Sequence, residues 1–351
     1  MDSGTGVRSP EGGRVIPLRV GIVGYGYTGK IHALACMAQA GARLTAIADS
    51  NAERLNDLAA GVQAFKSYEE LLESGVDAVS ICLPTHLHCK VAVDALERGK
   101  HVLVEKPIAV SLAEAHCMLR AAKAAGRVLY VGMTHRFYPE LREAKRLIDE
   151  GAIGRIVACN DCALEHFGFL NTPRWYLEKR FSGGGPALTS GIHLVDRLRW
   201  FTGDEVQLVA GSAANPYFDA DVEDAGQMFL RFRGGVSAQI TVAFLREPHP
   251  LVCDLQVIGT RGSMTVHTWR GYELWNGLGH REKIFYTDQP HAVKVQAGIE
   301  GEMSEFCGSI AEGRDPWPSA EDNIRSLQVI LAYYRAAETG SAIELGEADA
   351  V

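Results

Sequence analysis

The first third of the chain alternates between short apolar runs and longer stretches in which apolar residues recur at helical spacing. Short apolar runs are typical of buried strands, and the helical spacing is typical of amphipathic helices. We predict strands at residues 18–23, 43–48, 76–82, 101–104 and 128–131, and helices at 30–40, from about 51, at 87–98 and at 112–125. Strands that alternate with helices predict a parallel sheet covered on both faces.

The second part of the chain has a different pattern. Apolar residues recur at every second position on either side of Gly234 and Gly235, which predicts a β-hairpin with a glycine turn. The elements predicted here are a helix at 140–150, hairpin strands near 228–232 and 236–242, strands at 251–258 and 263–267, and helices at 301–312 and 320–338. This pattern indicates an α+β domain with a large, mostly antiparallel and open sheet, a face that a second subunit often covers.

Both patterns fit one chain of 351 residues with two domains, since single cores rarely grow beyond ~250–300 residues. The predicted fold class is α/β, with an N-terminal doubly wound parallel sheet and the α+β domain behind it. We place the first domain at 18–137 and the second at 138–345. Residues 1–17 are predicted to be a disordered tail because they are rich in glycine, serine and charge, and 346–351 form a second tail.

Composition narrows the range of partners. A net charge of −8 gives no basic footprint for nucleic acid and no reason for attachment to an acidic membrane. The chain has no run of ~18 apolar residues and no apolar signal segment, so we predict a cytoplasmic protein. The eight cysteines are scattered through apolar runs, which predicts reduced thiols. Cys159 and Cys162 form a lone pair and the histidines do not cluster with other ligands, so no metal site is predicted.

A glycine motif directly follows the first predicted strand. Gly24 permits a tight turn, Gly26 lets the backbone approach a pyrophosphate, and Gly29 lets the next helix pack closely. Tyr27 and Thr28 lie within this motif just before the predicted helix, whose free N–H groups at its start favour phosphate. This context predicts a dinucleotide site.

The end of the second predicted strand carries an acidic residue about 20 residues further on, as this type of site requires. Asp49, followed by Ser50, would accept hydrogen bonds from the adenosine ribose, and its charge would repel a 2′-phosphate. This favours NAD over NADP as cofactor, although Arg54 is near enough to keep NADP open.

Three further motifs indicate which family of dinucleotide-binding proteins the chain resembles. They are Pro84 with Thr85 and His88, then Glu105 with Lys106 and Pro107, and then the glycines 183–185 followed by Gly191, His193 and Asp196. Together with the glycine motif they resemble the Gfo/Idh/MocA family, the glucose–fructose oxidoreductase and inositol dehydrogenase group, over residues 18–345.

The resemblance implies a Rossmann NAD(P)-binding domain and a second domain for substrate binding and oligomerisation, in a homodimer or homotetramer. It implies hydride transfer between nicotinamide and a secondary hydroxyl of a sugar, sugar derivative or cyclitol. Pro84, Thr85, His88 and Glu105 would contact the cofactor, with Glu105 facing the nicotinamide ribose. No nucleic-acid or membrane partner is implied.

Two residues match the catalytic positions of the family. Lys106 would bind the reacting hydroxyl, stabilise the alkoxide and contact the cofactor, and the bond to Pro107 is expected to be cis. His193 would be the general base, because an imidazole suits proton transfer near neutral pH. Asp196 lies one helical turn further on, where it would orient His193, bind a substrate hydroxyl or pair with an arginine.

The sequence departs from the family at Thr189, where many members carry an aspartate four residues before the histidine. A threonine forms hydrogen bonds but holds no charge that would raise the basicity of His193. Arg136 at the domain junction is a candidate substrate ligand, with a structural salt bridge as an equal alternative. The other candidates for the substrate site are His166, Trp175, Tyr176 and Thr189 itself.

Two other functions fit the same motifs. One is a glycosidase or lyase that oxidises a sugar carbon transiently and recycles its bound NAD. The other is a non-catalytic NAD-binding regulator, which Lys106 and His193 argue against and Thr189 slightly favours. The identity of the substrate lies in pocket geometry that a sequence does not reveal.

Overall fold

The computed structural model describes residues 17–167, 173–276, 280–286 and 289–346, which fall into two compact units. The first unit comprises the described chain up to Thr134 together with Val295–Ile324. The second comprises His135–Lys294 and the described chain from Arg325 onwards. The sequence had assigned residues 295–324 to the second domain, whereas they group with the first unit.

The first unit is built on one parallel sheet of six described strands. The strands are β1 (Leu18–Val23), β2 (Ala42–Ala48), β3 (Gln63–Phe65), β4 (Ala78–Ile81), β5 (His101–Val104) and β6 (Leu129–Val131). The helices are α1 (Tyr27–Ala38), α2 (Tyr68–Glu73), α3 (His88–Glu97) and α4 (Leu112–Ala125). The strand order is β3-β2-β1-β4-β5-β6. Successive strands are added to one side of β1 up to β3 and to its other side from β4, so the switch point lies between β1 and β4. Ligands of such sheets bind outside the carboxyl ends of the strands at this switch point.

The predicted sheet is confirmed, with two additions and one correction. The strand β3 and the helix α2 were not predicted. The helix predicted from about residue 51 is a single 3-10 turn at Ala52–Leu55, capped by the Asn51 side chain. This turn buries no residue, and a helix gains most of its stability from burying an apolar face.

The second unit is built on a sheet of nine strands within the described residues. They are β7 (Ile156–His166), β8 (Val206–Ala214), β9 (Ala225–Phe232), β10 (Ser237–Leu245), β11 (Val252–Gly259), β12 (Gly262–His267), β13 (Gly271–Asn276), β14 (His280–Tyr286) and β15 (Ile343–Glu344). The order is β14-β13-β12-β11-β7-β10-β9-β8-β15, and the only parallel pair among these strands is β7 with β10. The predicted, mostly antiparallel sheet is therefore confirmed.

The remaining helices lie mainly in the second half of the chain. They are α5 (Pro139–Asp149), α6 (Lys179–Ser182), α7 (Pro186–Thr189), α8 (Gly191–Thr202), α9 (His291–Glu312) and α10 (Ala320–Thr339). The structure confirms the helices predicted at 140–150 and 320–338 to within a residue. The helix predicted at 301–312 begins ten residues earlier, at His291. None of the helices in the described part of the chain is long and apolar enough to cross a membrane.

The alternation in β9 produces one buried and one exposed face. Met228, Leu230 and Phe232 are buried, whereas Phe229 between them is 40% exposed. The turn between β9 and β10 contains Gly235 at φ 90°, a backbone conformation that favours glycine. On the buried side, α8 packs against β7 and β10 and is itself almost entirely buried.

Candidate active site

Two of the three glycines in the turn after β1 have no space for a side chain, and the third has space for one. Gly24 has φ +90°, and a Cβ there would lie 2.5 Å from the carbonyl oxygen of Cys82. A Cβ on Gly29 would lie 1.9 Å from the carbonyl oxygen of Gly24. A Cβ on Gly26 would meet nothing closer than the Arg54 Nη1 at 3.9 Å. Gly26 is thus free of internal constraint, and its open side leaves room for a ligand.

Asp49 at the end of β2 holds the glycine turn in place. Its Oδ2 accepts a hydrogen bond from the Tyr25 N–H at 2.7 Å, and its Oδ1 accepts one from the Asn51 N–H at 2.8 Å. The Arg54 Nη1 lies 3.2 Å from Oδ2. Asp49 is buried, whereas Ser50 beside it is exposed. The structural role of Asp49 was not predicted, and its contact with a ribose stays a prediction.

Four other predicted cofactor residues of the first unit lie at the carboxyl ends of β1 and β4, the two strands at the switch point. Tyr27 and Thr28 open α1, whose N-cap is Gly26 and therefore has no side chain to satisfy the first N–H groups. Pro84 and Thr85 lie at the start of a 3-10 turn after β4, and Thr85 is buried. This is the place at which a parallel sheet of this order binds its ligand.

His88 is buried between two backbone carbonyls. Its Nδ1 lies 2.9 Å from the Pro107 oxygen and its Nε2 lies 2.8 Å from the Leu83 oxygen. Burial lowers the pKa of His88, although both carbonyls oppose this shift. The ring therefore ties the turn after β5 to the turn after β4. Its predicted contact with the cofactor is not tested by this geometry.

Glu105 and Lys106 lie on the turn after β5, and the Lys106–Pro107 bond is cis, as predicted. The Glu105 Oε1 is 2.8 Å from the His32 Nε2, and its Oε2 accepts a hydrogen bond from the Lys106 N–H at 3.2 Å. The His32 Nδ1 is in turn 2.9 Å from the Ser80 Oγ. Burial works to raise the pKa of Glu105, but the hydrogen bond with His32 and the nearby positive charges hold it below its ordinary value.

A second buried carboxyl group lies beside Glu105. Glu302 of α9 is fully buried, and one oxygen of each glutamate and one nitrogen of His32 all lie within 4.8 Å of one another. Burial raises the pKa of Glu302 well above its ordinary value, and the charge of Glu105 adds to the rise. We call His32, Glu105 and Glu302 the carboxyl cluster. The Lys106 charge disfavours a metal cation here. It also works against a proton on Glu302, but burial and the charge of Glu105 outweigh it, so the cluster is suited to holding a proton.

In the second unit, His193 lies near the start of α8 and is 8% exposed. Its ring stacks on the ring of His135, with 4.3 Å between centroids and 14° between planes. His135 also contacts Tyr138 and Trp269 edge-on or tilted, and Trp269 contacts His291 at 4.6 Å. We call these five rings the aromatic cluster. Nothing in the sequence marked His135, Trp269 or His291 as partners, because they come from three distant segments.

Trp269 has φ 68°, the one left-handed backbone conformation among the described non-glycine residues. A bulky residue held in this region costs on the order of 1–3 kcal/mol, and such positions concentrate at functional sites. The Trp269 ring is thereby aimed into the aromatic cluster, edge-on to His135.

Arg136 and Asp196 form a buried, bidentate ion pair. The Arg136 Nε donates to Asp196 Oδ2 and its Nη2 donates to Oδ1, both at 2.8 Å. Their side chains are 5% and 1% exposed. The structural salt bridge that the sequence left as an alternative for each residue is therefore present. A direct contact of either residue with substrate remains a prediction.

Two of the three consecutive glycines before α7 are required by close packing. A Cβ on Gly184 would lie 2.1 Å from the Tyr334 hydroxyl, and one on Gly185 would lie 1.8 Å from the Glu223 carbonyl oxygen. The Glu223 carboxylate accepts hydrogen bonds from the N–H groups of Gly185 and Ala187, both at 3.0 Å. Glu223 was not predicted, since it lies on a loop with no motif.

Thr189, at the position of the family aspartate, is buried at the end of α7. Its Oγ1 donates a hydrogen bond to the Gly185 carbonyl at 3.0 Å. This bond holds the turn of α7 that leads to His193.

The remaining predicted substrate residues are half-buried in the second unit. His166 ends β7. Trp175 and Tyr176 lie in a 3-10 helix at Arg174–Leu177 and stack on each other at 3.9 Å and 24°. Their contact with substrate stays a prediction.

Comparisons with known proteins identify the family. Residues 18–133 match the model described as an oxidoreductase family with an NAD-binding Rossmann fold, and residues 141–265 match the GFO/IDH/MocA C-terminal domain. The chain is 27% identical to the scyllo-inositol 2-dehydrogenase (NAD(+)) of Bacillus subtilis, over 93% of this chain and 96% of that protein. It is 30% identical to the rhizopine catabolism protein MocA of Rhizobium meliloti, over 90% and 93% of the two chains.

Solved structures agree with the sequence relatives. A levoglucosan dehydrogenase in complex with NADH and levoglucosan superimposes with a TM-score of 0.84 at 25% identity, covering 95% of this chain and all of that one. The motifs, the two sheets and both family models thus lead to one assignment: the chain belongs to the Gfo/Idh/MocA family of oxidoreductases, with an NAD-binding Rossmann fold.

Proposed function

We propose that the protein transfers a hydride between NAD and a secondary hydroxyl group of a sugar, sugar derivative or cyclitol. The relatives named above include enzymes that act on an inositol and on levoglucosan, which supports this substrate class. The proposal places the protein in the cytoplasm, where reduced cysteines and NAD occur together.

The residues of the first unit fit NAD. Gly26 and the start of α1 offer an unobstructed backbone and unsatisfied N–H groups for the pyrophosphate. Asp49 offers a buried carboxylate for the adenosine ribose and disfavours a 2′-phosphate. Pro84, Thr85 and Glu105 would contact the part of NAD between the pyrophosphate and the nicotinamide. The nicotinamide, when bound, accepts the hydride. His88 would act indirectly, because it fixes the two turns that carry these contacts by its contacts with their backbone carbonyls.

Lys106 is proposed to bind the oxygen of the reacting hydroxyl. Its ammonium group donates a hydrogen bond that strengthens as the oxygen gains negative charge, which lowers the barrier to hydride departure. The observation that carries the proposal is the fixed turn on which Lys106 stands. The Glu105 carboxylate accepts a hydrogen bond from the Lys106 N–H and is itself held by His32 and Ser80.

His193 is proposed to take the hydroxyl proton as general base. Stacking on His135 fixes the plane of its ring, and the helix start of α8 fixes its backbone. Thr189 supplies no charge at the position where the family resemblance implies an aspartate in many members, so we infer that the aromatic cluster orients the base instead. The proposal requires Lys106 and His193 to act on the same hydroxyl.

The proposal is tested by mixing the purified protein with NAD or NADP and a panel of inositols, aldoses, glycosides and sugar acids. We expect NADH absorbance to grow with one class of substrate and with NAD in preference to NADP. Product formed without accumulating NADH would favour the enzyme that recycles its bound NAD. Binding of NAD in calorimetry with no product from any compound would favour the regulator.

A further inference from the structure

Glu302 is a buried acid that the proposed reaction does not use. It lies on α9 in the first unit, and its side chain is 0% exposed. Neither of its carboxyl oxygens has a hydrogen-bond partner among the described residues. Burying an ionised carboxylate without a partner is far more costly than burying the neutral acid, so such a group takes up a proton.

The groups that face Glu302 come from three other elements. Glu105 and Lys106 follow β5, and the charges of both act on Glu302. His32 of α1 lies within 4.8 Å of it, and Cys82 after β4 has its pKa raised by burial and by both glutamates. A Cβ built on Gly132 would be 3.3 Å from one oxygen of Glu302 and 3.5 Å from the nearest oxygen of Glu105. The two carboxyl groups therefore share one small space.

His32 joins Glu105 to Ser80, since its Nε2 lies 2.8 Å from the Glu105 Oε1 and its Nδ1 lies 2.9 Å from the Ser80 Oγ. The charge of Lys106 acts on both carboxyl groups. Glu105 is ionised because it accepts hydrogen bonds from both His32 and the Lys106 N–H. The second carboxyl group, Glu302, is left to hold the proton.

We propose that Glu302 is protonated in the cofactor-free enzyme and releases its proton to solvent when the cationic nicotinamide of NAD+ binds beside Glu105. The neutral ring of NADH leaves the proton on Glu302. This inference rests on the proposed function, in which Glu105 faces the nicotinamide ribose. Glu302 touches no reacting atom in this proposal. It is a positioning residue whose ionisation offsets the positive charge of the bound nicotinamide.

The balance of the step is simple. The protonated enzyme and NAD+ give the ionised enzyme with bound NAD+ and one proton in solvent, with no electron transferred. By linkage, a ligand whose binding releases one proton binds about tenfold more tightly for each unit by which the pH rises, over the range of release. The affinity for NADH lacks this dependence, so the preference for NAD+ over NADH increases with pH.

The experiment is isothermal titration calorimetry of the full-length protein with NAD+ and with NADH, from about pH 5 to about pH 9. At each pH, two buffers of different ionisation enthalpy give the number of protons released. We expect about one proton per NAD+ over part of this range, and none with NADH. Glu302→Gln, which has the shape of the neutral acid, should bind NAD+ without releasing this proton.

The matched control is Glu312→Gln, which removes an exposed carboxylate from the same helix. It should release the same number of protons as the wild type. Equal proton release by Glu302→Gln and the wild type, or equal release with NAD+ and NADH, would overturn the inference. Absence of NAD+ binding in the wild type would overturn the proposed function instead.

A measurement without cofactor tests the protonation itself. Because the folded state holds the Glu302 proton at a raised pKa, the free energy of unfolding falls as pH rises from the ordinary carboxyl range through the folded-state pKa. Urea unfolding of the cofactor-free protein should show this fall in the wild type and less of it in Glu302→Gln. Identical pH dependence in both would contradict a protonated Glu302.

Discussion

The two proposed catalytic residues lie in opposite kinds of surroundings. Lys106 stands on a turn among charged groups, where Glu105 and Glu302 set the local electrostatics. His193 lies in a helix packed on a sheet, where its ring stacks on that of His135. The surroundings of Lys106 set the electrostatic potential at its ammonium group, and the surroundings of His193 set the orientation of its ring. Substitutions beside Lys106 should therefore act through electrostatics, and substitutions beside His193 should act through packing.

This contrast extends to the buried ions. In the first unit the carboxyl cluster carries acid groups whose charge a proton regulates. In the second unit Arg136 and Asp196 form a buried bidentate ion pair, and the fully buried Arg197 pairs with Asp161. Permanent ion pairs hold a scaffold, whereas a titrating group responds to a ligand.

The largest expected effect comes from removing the charge of Lys106. Lys106→Ala should lower kcat by at least ~10³-fold, because the developing alkoxide loses its hydrogen-bond donor and its counter-charge. Binding of NAD should weaken only modestly. Steady-state kinetics with calorimetry of NAD binding measures both, and Lys90→Ala, an exposed lysine of α3, is the control. Full turnover in Lys106→Ala would refute its role.

His193→Ala should reduce kcat by ~10²–10⁴-fold, the usual contribution of a positioned general base. The loss should shrink as pH rises, because hydroxide or buffer then replaces the base. His249→Ala removes an exposed histidine of the same unit and should leave kcat unchanged. A His193→Ala enzyme with wild-type kcat at neutral pH would show that another group takes the proton.

The third prediction concerns stability in the second unit. Asp196→Ala should cost about 3–5 kcal/mol of unfolding free energy, because it removes the carboxylate that binds the buried Arg136 guanidinium through two hydrogen bonds. Asp149→Ala breaks an exposed pair with Lys145 and should cost less than about 1 kcal/mol. Urea unfolding compares the two variants. A small loss in Asp196→Ala would mean that water reaches Arg136.

The smallest effect on the fold is expected at the open glycine. Gly26→Ala should leave stability nearly unchanged, since its Cβ meets nothing within 3.9 Å, while it weakens NAD binding by obstructing the pyrophosphate. Gly29→Ala should lower both the stability of the fold and the affinity for NAD, since its Cβ would lie 1.9 Å from a carbonyl oxygen. Thermal unfolding and calorimetry separate the two quantities. Undiminished NAD affinity in Gly26→Ala would contradict a pyrophosphate at this turn.

The sequence predicted the parts of the molecule that local patterns determine. The apolar runs located five of the six strands in the first unit, and the glycine spacing located the turn after β1. It also placed Lys106 at a strand end and His193 in a helix. Both placements depend on neighbours within a few residues, which is why motifs record them.

The sequence did not reveal contacts between distant segments. Glu302 joins Glu105 from almost 200 residues away, and no periodicity marks it among the other acidic residues of α9. The stacking of His135 on His193 and the left-handed Trp269 likewise depend on tertiary packing. The same limit explains why the sequence left Arg136 and Asp196 open between a substrate contact and a structural ion pair, whereas the structure shows their charged groups bound to each other.

The central claim, hydride transfer from a substrate carbon to NAD, is tested most directly with a substrate that carries deuterium on the carbon of the reacting hydroxyl. Mass spectrometry of the cofactor after turnover should find one deuterium in released NADH, at the nicotinamide ring. Substrate converted to product with no deuterium in free or bound cofactor would contradict the account.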